Sequence, residues 1–321
     1  MVSAPGISGL AYALPARRRT LSELATLGQL ESDPSLLARF GFDGVYVAEA
    51  ETPYELALAA ASNLLAEQRL PPERIDALLY CGTSALAFAP RGTTSNAASR
   101  LATTQRFQYP ATRLQYDLGL ERASTIALDQ LACTSLFAAV RLARAMIAAG
   151  DAQRVLCVSA EFFPECAGRE AIFNCTADAG CAVLVEAGAQ RNRILLSAEI
   201  TKGYYWDADV LRNEIIASYF PTAKYVIDDT LRRAGWSPAD VTWVIPHNVS
   251  VRSWEILLGL TGIPRARLWD RNVARIGHTL AGDNFINLRD AIDDGSVRRG
   301  DRVLLFSYGY GAHWTALALE A

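Results

Sequence analysis

Short apolar runs alternate with longer amphipathic stretches along this chain of 321 residues. The short runs are typical of buried strands, and the stretches with apolar residues at helical spacing predict helices. The clearest helix covers 52–68, where Thr52 occupies the N-cap position and Pro53 opens the first turn. Further helices are predicted at 136–150, 213–234, 251–260 and 284–293, and strands at 5–14, 124–128, 154–163, 179–188, 193–201, 241–246 and 302–309, with a last strand at the end of the chain.

The order of these elements repeats once. The first half ends with the strand RVLCVSAEF, a glycine-containing break and the strand AGCAVLVEAG, and the second ends with RVLLFSYG, a break and AHWTALALEA. The triplet RVL itself recurs at Arg154 and Arg302. We therefore predict an α/β protein of two similar strand–helix halves, residues 1–190 and 191–321, that pack face to face as one rigid body.

Composition narrows the class of protein. A hydrophobic share of 51% predicts a large core, and the net charge of −3 argues against a nucleic-acid-binding protein. No charged-then-apolar signal pattern opens the sequence, and no apolar run reaches the ~18 residues of a membrane span, so we expect a cytoplasmic protein without membrane contact. The six cysteines form no CxxC pair and no zinc-like cluster, which predicts reduced thiols and no metal site.

Cys133 lies at the most informative position. It follows the strand 124–128 in a tight turn and precedes a long apolar helix that Thr134 and Ser135 could cap. At a helix N-terminus, free backbone N–H groups and the helix dipole favour a thiolate, which is the nucleophilic form of cysteine. The alternative is that Cys133 is one more small, buried hydrophobic residue.

The chain has three histidines, each at the junction of an element with a loop in the second half. His247 follows a strand in IPHN, His278 lies in RIGHTLAGDN, and His313 follows a glycine-rich turn in YGYGAHW. Taken singly, each is equally well explained as a structural residue. However, strand ends are where α/β folds assemble their sites, and a cysteine with histidines from other loops suits formation of an acyl-thioester.

The motifs resemble those of the thiolase superfamily, specifically its ketoacyl-ACP synthase III group. They follow in the order ISGLAYALP, LACTS, TADAGCAVLVE, IPHNVSVR, IGHTLAGDN and SYGYGAHW, nearly from end to end of the chain. The resemblance implies a thiolase-like fold, a five-layer α-β-α-β-α body, and a homodimer. It also implies catalysis without a cofactor, with coenzyme A or the phosphopantetheine of an acyl carrier protein as the substrate carrier.

By this resemblance, Cys133 accepts the acyl group, His247 and His278 complete the catalytic set, and the backbone N–H groups of Cys133 and Gly311 form the oxyanion hole. Arg252 falls where the family has a basic residue at the carrier entrance, and Phe88 resembles a residue that reaches across the dimer interface to the acyl pocket. Residues expected to contact substrate or carrier are Phe88, Asn248, Arg252, Asp283 and His313.

The resemblance leaves three functions open. His278 replaces an asparagine usual in the family, so the first is a decarboxylative Claisen condensation in which His247 and His278, both neutral at pH 7, stabilise an enolate. The second is acyl transfer to an alcohol or amine, with His278 as general base and Asp283 either orienting it or only starting the next helix. The third is a non-catalytic, carrier-binding protein, against which the retained cysteine and histidines argue.

Overall fold

The computed structural model describes residues 4–82, 109–161, 163, 167–172, 174–208 and 210–321. Phe88 and Cys166 lie outside these ranges, so the proposed place of Phe88 at a dimer interface stays a prediction. Within the described ranges the strands are β1 Pro5–Ala13, β2 Arg17–Thr20, β3 Gly44–Val47, β4 Ala77–Cys81, β5 Ser124–Leu128, β6 Arg154–Glu161, β7 Glu170–Ala171, β8 Asn174–Cys175, β9 Ala179–Ala187, β10 Arg193–Thr201, β11 Trp243–Pro246, β12 Arg302–Gly309 and β13 His313–Glu320.

The helices agree with the apolar periodicity of the sequence. In the same ranges they are α1 Leu21–Thr26, α2 Pro34–Arg39, α3 Pro53–Gln68, α4 Pro110–Asp117, α5 Ser135–Ala149, α6 Arg212–Ala234, α7 Val251–Thr261, α8 Arg271–Arg275 and α9 Asp283–Asp293. Thr52 caps α3 in a reciprocal pair with Glu55, as its sequence predicts. Gly150 ends α5 in the left-handed conformation that favours glycine at this position.

Nine strands form one mixed sheet in the order β11-β12-β13-β10-β1-β9-β6-β4-β5. The two halves of the sequence contribute β11, β12, β13 and β10 on one side and β1, β9, β6, β4 and β5 on the other. The two sets join where β1 meets β10, with Gly6 opposite Arg193. A division of the chain into two units at residue 190 stays a prediction, since this pairing makes the sheet continuous.

Three hydrophobic clusters separate the layers. The first-half strands pack one face against α3 and α4, and the second-half strands pack one face against α6 and α7. The remaining faces of both sets enclose α5 and α9 in a shared central cluster. The predicted five-layer α-β-α-β-α arrangement is thereby confirmed, and both central helices begin beside the loops that carry the predicted catalytic residues.

The basic segment Arg17–Arg19 is part of strand β2, which pairs with β3 and was not predicted from the sequence. One local prediction needs correction. Thr134 does not cap α5 with its side chain, because its hydroxyl donates to the carbonyl of Leu131 within a short 3-10 turn.

The segment Ala132–Ala149 is long and apolar enough to span a membrane, but α5 is the core helix of the central layer.

Candidate active site

The nucleophile turn, residues 129–134, joins β5 to α5 and presents Cys133, which is 5% exposed. Gln130 and Ala132 adopt left-handed backbone angles, with φ of 66° and 44°, which residues other than glycine rarely adopt. The second half of the chain holds this turn from the other side. Ser307 in β12 donates to the carbonyl of Cys133 at 3.2 Å, and a Cβ on Gly309 would lie 2.6 Å from the carbonyl oxygen of Leu131. Glycine is therefore required at 309.

His278 is fixed by contacts with the opposite half. Its backbone N–H donates to Cys175 O, and its carbonyl accepts from the N–H of Ala177, both at 2.8 Å. The preceding Gly277 has a φ of 91°, and a Cβ there would lie 2.5 Å from Cγ1 of Val45. The TADAG motif and the IGHT motif thus meet in space, and residues of both hold the imidazole of His278 in place.

Three side chains form a continuous line of contacts. Sγ of Cys133 lies 3.3 Å from Nε2 of His278, and Nδ1 of His278 lies 2.5 Å from Oδ2 of Asp283. The other carboxylate oxygen of Asp283 accepts from the backbone N–H and the hydroxyl of Thr279, at 2.6 and 2.7 Å. Asp283 is completely buried. This line of a nucleophile, a base and a carboxylate that orients the base is the arrangement used for covalent acyl transfer.

Asn248 and Asp283 were expected to contact the substrate or its carrier, and the structure corrects both expectations. The backbone N–H of Asn248 donates to Asp283 at 2.6 Å, and its side-chain amide bonds to the carbonyl of Gly277 and to Asn287. Both residues are fully buried, and their polar atoms serve internal hydrogen bonds. Asp283 therefore connects the loops of His247 and His278, and it also begins α9.

His247 lies in an aromatic environment. Its ring contacts those of Trp254 and Phe306 edge to face, with centroids 5.5 and 6.0 Å apart, and lies 6.2 Å from the ring of His278. Burial lowers the pKa of His247 to about 3, and the neighbouring His278 adds to this effect. The ring is therefore neutral at pH 7, as the sequence analysis predicts. Among the described residues, its Nδ1 atom has no hydrogen-bond partner.

His278 has the opposite electrostatics, so the prediction of a neutral ring is wrong. Burial acts to lower its pKa, but the charges of Asp283 and Cys133 outweigh burial and raise the pKa well above 6.5. The hydrogen bonds to the same two groups act in the same direction. The positively charged imidazolium is thus the favoured form beside the nucleophile.

Cys133, His247 and His278 open onto one cavity of about 280 Å³. Arg252, expected at the carrier entrance, also lines this cavity, and its side chain is 71% exposed and paired with Glu255. The remaining wall was not predicted from the sequence. It is largely apolar and consists of Phe40, Ala171, Ile172, Asn174, Ile215, Ile216, Tyr219, Phe220, Val249, Ser250, Ser253, Ile256, Tyr308 and Tyr310. The apolar pairs of α6 at a spacing of four, Ile215 with Tyr219 and Ile216 with Phe220, are the sequence signal that could have indicated a second apolar face.

Gly311 and His313 occupy the hairpin between β12 and β13, beside the nucleophile turn. Gly311 lines a neighbouring cavity together with Ala132, and Tyr310 lines both cavities. An oxyanion-hole donor at Gly311 stays a prediction. His313 lines neither of these cavities, and its Nδ1 lies 2.8 Å from the hydroxyl of Thr201. A contact between His313 and substrate likewise stays a prediction.

The other described cysteines differ from Cys133 in their surroundings. Cys81, Cys157, Cys175 and Cys181 are buried and unpaired, and burial raises the pKa of each thiol. Each lies in a strand, away from a helix N-terminus. These four thiols are poor nucleophiles at neutral pH.

Comparison with known proteins identifies the family. A model for the C-terminal part of 3-oxoacyl-[acyl-carrier-protein] synthase III matches residues 231–321, and a second model for 3-oxoacyl-[acyl-carrier-protein] synthase III matches 129–203. β-Ketoacyl-[acyl-carrier-protein] synthase III 3 of Streptomyces coelicolor is 30% identical over 352 residues, covering 99% of this chain and 98% of the relative. The corresponding synthase III of Aquifex aeolicus is 28% identical over 302 residues, covering 90% and 91%.

Structural comparison agrees with the sequence comparison. The crystal structure of 3-oxoacyl-[acyl-carrier-protein] synthase III from Aquifex aeolicus superimposes with a TM-score of 0.83 at 25% identity. The match covers 99% of this chain and 100% of that one. The protein therefore belongs to the 3-oxoacyl-[acyl-carrier-protein] synthase III family.

Proposed function

We propose that this protein is an acyltransferase of the condensing type, which forms an acyl-Cys133 intermediate and joins it to a malonyl-type thioester. The observation that carries the proposal is the 3.3 Å contact between Cys133 and His278 in the cavity that His247 also lines. Family membership supports the condensing reaction, since the relatives are named as β-ketoacyl synthases.

The first half-reaction loads the enzyme. In its favoured form His278 already holds the added proton on Nε2, and the thiolate of Cys133 attacks the carbonyl carbon of an acyl thioester. A new S–C bond forms, the S–C bond to the carrier breaks, and the departing carrier thiolate takes the proton from His278. Asp283 holds His278 in the orientation that this transfer needs, because it accepts from Nδ1 and leaves Nε2 facing the sulfur.

The second half-reaction makes a carbon–carbon bond. The bond from the malonyl carbon to its carboxylate breaks, CO2 leaves, and the electron pair moves into an enolate whose oxygen accepts hydrogen bonds from the histidines. The enolate carbon attacks the acyl carbonyl, the S–C bond to Cys133 breaks, and the sulfur takes the proton that His278 regained from solvent after loading. The aromatic surroundings of His247 favour a neutral donor, and interactions that strengthen as charge develops lower the barrier.

A second candidate function is acyl transfer to an alcohol or amine, and the Asp283–His278 contact favours it. In a neutral His278 whose Nδ1–H donates to Asp283, Nε2 carries a lone pair and can only accept a proton. Such a ring is a general base for an O–H or N–H acceptor. Condensation instead requires His278 to regain a proton from solvent after loading, which the raised pKa favours.

One experiment distinguishes condensation from acyl transfer. Incubation with acyl-CoA should add the acyl mass to Cys133 alone, and Cys133→Ala should acquire none; acylation of that variant would refute the nucleophile assignment. Labelled malonyl-CoA is then added to the acylated protein. Release of labelled CO2 with formation of a β-ketoacyl thioester supports condensation, whereas acyl loss only with an alcohol or amine supports transfer.

The carrier, partners and location belong to the same proposal. We propose that acyl-CoA or an acyl carrier protein delivers the substrate past Arg252, and that the enzyme works without a cofactor in the cytoplasm, without nucleic acid or membrane partners.

We also propose a homodimer, because the edge strand β5 exposes the apolar side chain of Ile126. Light scattering at micromolar concentration should give the mass of two chains, and the mass of one would refute the dimer.

A further inference from the structure

The nucleophile turn has an unfavourable backbone conformation that contacts from outside the turn must hold. Gln130 and Ala132 both have left-handed φ angles, although neither is glycine. Such conformations persist where the surrounding structure holds them, and they concentrate at functional sites. Within the turn, Asp129 accepts from the backbone N–H of Gln130 at 2.7 Å, but this contact is local and exposed. Contacts from the second half of the chain must supply the rest of the support.

The hairpin tip, residues 310–312, lies against this turn and is strained as well. Gly311 and Ala312 have φ angles of 85° and 61°, and Ala312 is completely buried. Its carbonyl accepts from the N–H of Lys202 at 2.9 Å. At the base of the tip, a Cβ on Gly309 would lie 3.2 Å from the backbone nitrogen of Cys133. The base of the tip thus packs directly against the backbone of Cys133.

His313 connects these two strained segments. Its Nδ1 bonds to the hydroxyl of Thr201 on β10, and its Nε2 would lie 2.9 Å from a Cβ on Gly311. The ring also lies close to the backbone of Gln130 in the nucleophile turn. Burial lowers the pKa of His313, so the ring is neutral at pH 7 and keeps one N–H donor and one acceptor. One ring therefore reaches β10, the hairpin tip and the turn that presents Cys133.

We propose that His313 is a positioning residue that fixes the hairpin tip on the nucleophile turn, so that their backbone N–H groups converge on the thioester carbonyl oxygen. It does not touch the substrate in this role. The inference rests on the proposed acylation of Cys133 and adds a residue to its machinery. A donor that is displaced from the developing oxyanion loses much of its effect, because charge stabilisation depends on preorganised geometry.

The test compares two reactions of Cys133 that differ in their need for an oxyanion hole. Acylation by a thioester passes through a tetrahedral oxyanion, whereas alkylation by iodoacetamide displaces iodide and forms none. His313→Leu keeps the bulk of the ring and removes its hydrogen bonds. It should slow acylation by acyl-CoA on the order of ten- to a hundredfold while alkylation stays within about twofold. His313→Gln, which retains a donor and an acceptor, should restore acylation to within about threefold.

The controls separate positioning from stability and from failure of the proposed function. Thr315 lies on the same strand as His313. Thr315→Val removes a side-chain hydrogen bond to the carbonyl of Ala198 and should change neither rate. Hydrogen exchange of the amides at 310–312, followed by mass spectrometry, should rise about tenfold in His313→Leu and stay unchanged in Thr315→Val. Parallel loss of acylation and alkylation, or unchanged exchange at the tip, would overturn the role of His313. Absence of acylation in the parent protein would refute the proposed function, and the exchange result would still decide the role of His313.

Discussion

The loops of His247 and His278 present the same side chain to the same cavity, yet their environments give it opposite charge states. His247 is surrounded by the rings of Trp254 and Phe306, and burial lowers its pKa to about 3. His278 is equally buried, but Asp283 and Cys133 contact its two nitrogens and raise its pKa well above 6.5. Two histidines that are equally buried thus differ in charge because only one of them contacts charged partners.

Because their pKa values differ, His247 and His278 have separate roles in the reaction. His278 touches the nucleophile and can carry its proton, whereas His247 is a neutral group that can act only on the charge that develops later. The same carboxylate links them, because Asp283 accepts from His278 and from the backbone N–H of Asn248, next to His247. A change in either loop should therefore affect a different step of the reaction.

The largest expected effect separates the rings in the first half-reaction. His278→Ala should slow acylation of Cys133 by about a hundred- to a thousandfold, since it removes the imidazole that holds the proton 3.3 Å from the sulfur. His247→Ala should leave acylation within about fivefold and impair the later step. Rapid-quench mass spectrometry of the acyl-enzyme measures the first step. Equal losses in both variants would show that the two rings do not divide the reaction.

The second prediction concerns the later step of the reaction. If the enzyme condenses carbon, His278→Asn should keep decarboxylation within about tenfold, while His278→Ala should lose on the order of a hundredfold. If His278 is a base, asparagine cannot take the proton, and both variants should be equally poor. Both are assayed by CO2 release from pre-acylated protein, so that the first step does not mask the second. Retention in the asparagine variant alone would exclude base catalysis.

Asp283→Asn should have a smaller effect, about ten- to thirtyfold on acylation. The amide removes the negative charge that raises the pKa of His278, and the pKa should fall toward its ordinary value. Nitrogen-15 NMR of the imidazole rings should show His278 titrating at lower pH in the variant, with His247 still neutral above about pH 4. An unchanged titration of His278 would contradict the role given to Asp283.

The smallest effect is on stability, and the two histidines should give opposite signs. His247 has a depressed pKa, so its neutral form stabilises the fold above the unfolded pKa of 6.5, and this contribution falls by about 1.4 kcal/mol per pH unit below it. His278 has a raised pKa, so its contribution is present below 6.5 and is lost as pH rises through the folded pKa. Urea unfolding is measured at pH 5.5, 7 and 9. On acidification from pH 7 to 5.5, His247→Gln should lose less free energy of unfolding than the parent. His278→Asn should lose more free energy of unfolding, relative to the parent, at pH 5.5 than at pH 9, and the reverse order would refute the assignment.

The elements of the fold could be predicted from the sequence because their signals are local. Alternating apolar runs located the central strands, and Thr52, Pro53 and Gly150 marked helix ends through capping chemistry that depends on a few neighbouring residues. Strand β2 was not predicted, because its pairing with β3 is what makes this segment a strand. Pairing with a distant segment has no local signal.

The active site divides in the same way. The position of Cys133 at a helix start, the histidines at loop junctions and the motifs of one family could all be read from the sequence. The raised pKa of His278 could not, because it arises where the turn at 280–282 brings Asp283 back onto Nδ1. The packing of the chain established it. It also decided that Asn248 serves the framework and that α6 lines the cavity. Charge state, hydrogen-bond partner and exposure depend on atoms that long-range packing brings together, and no spacing along the chain specifies them.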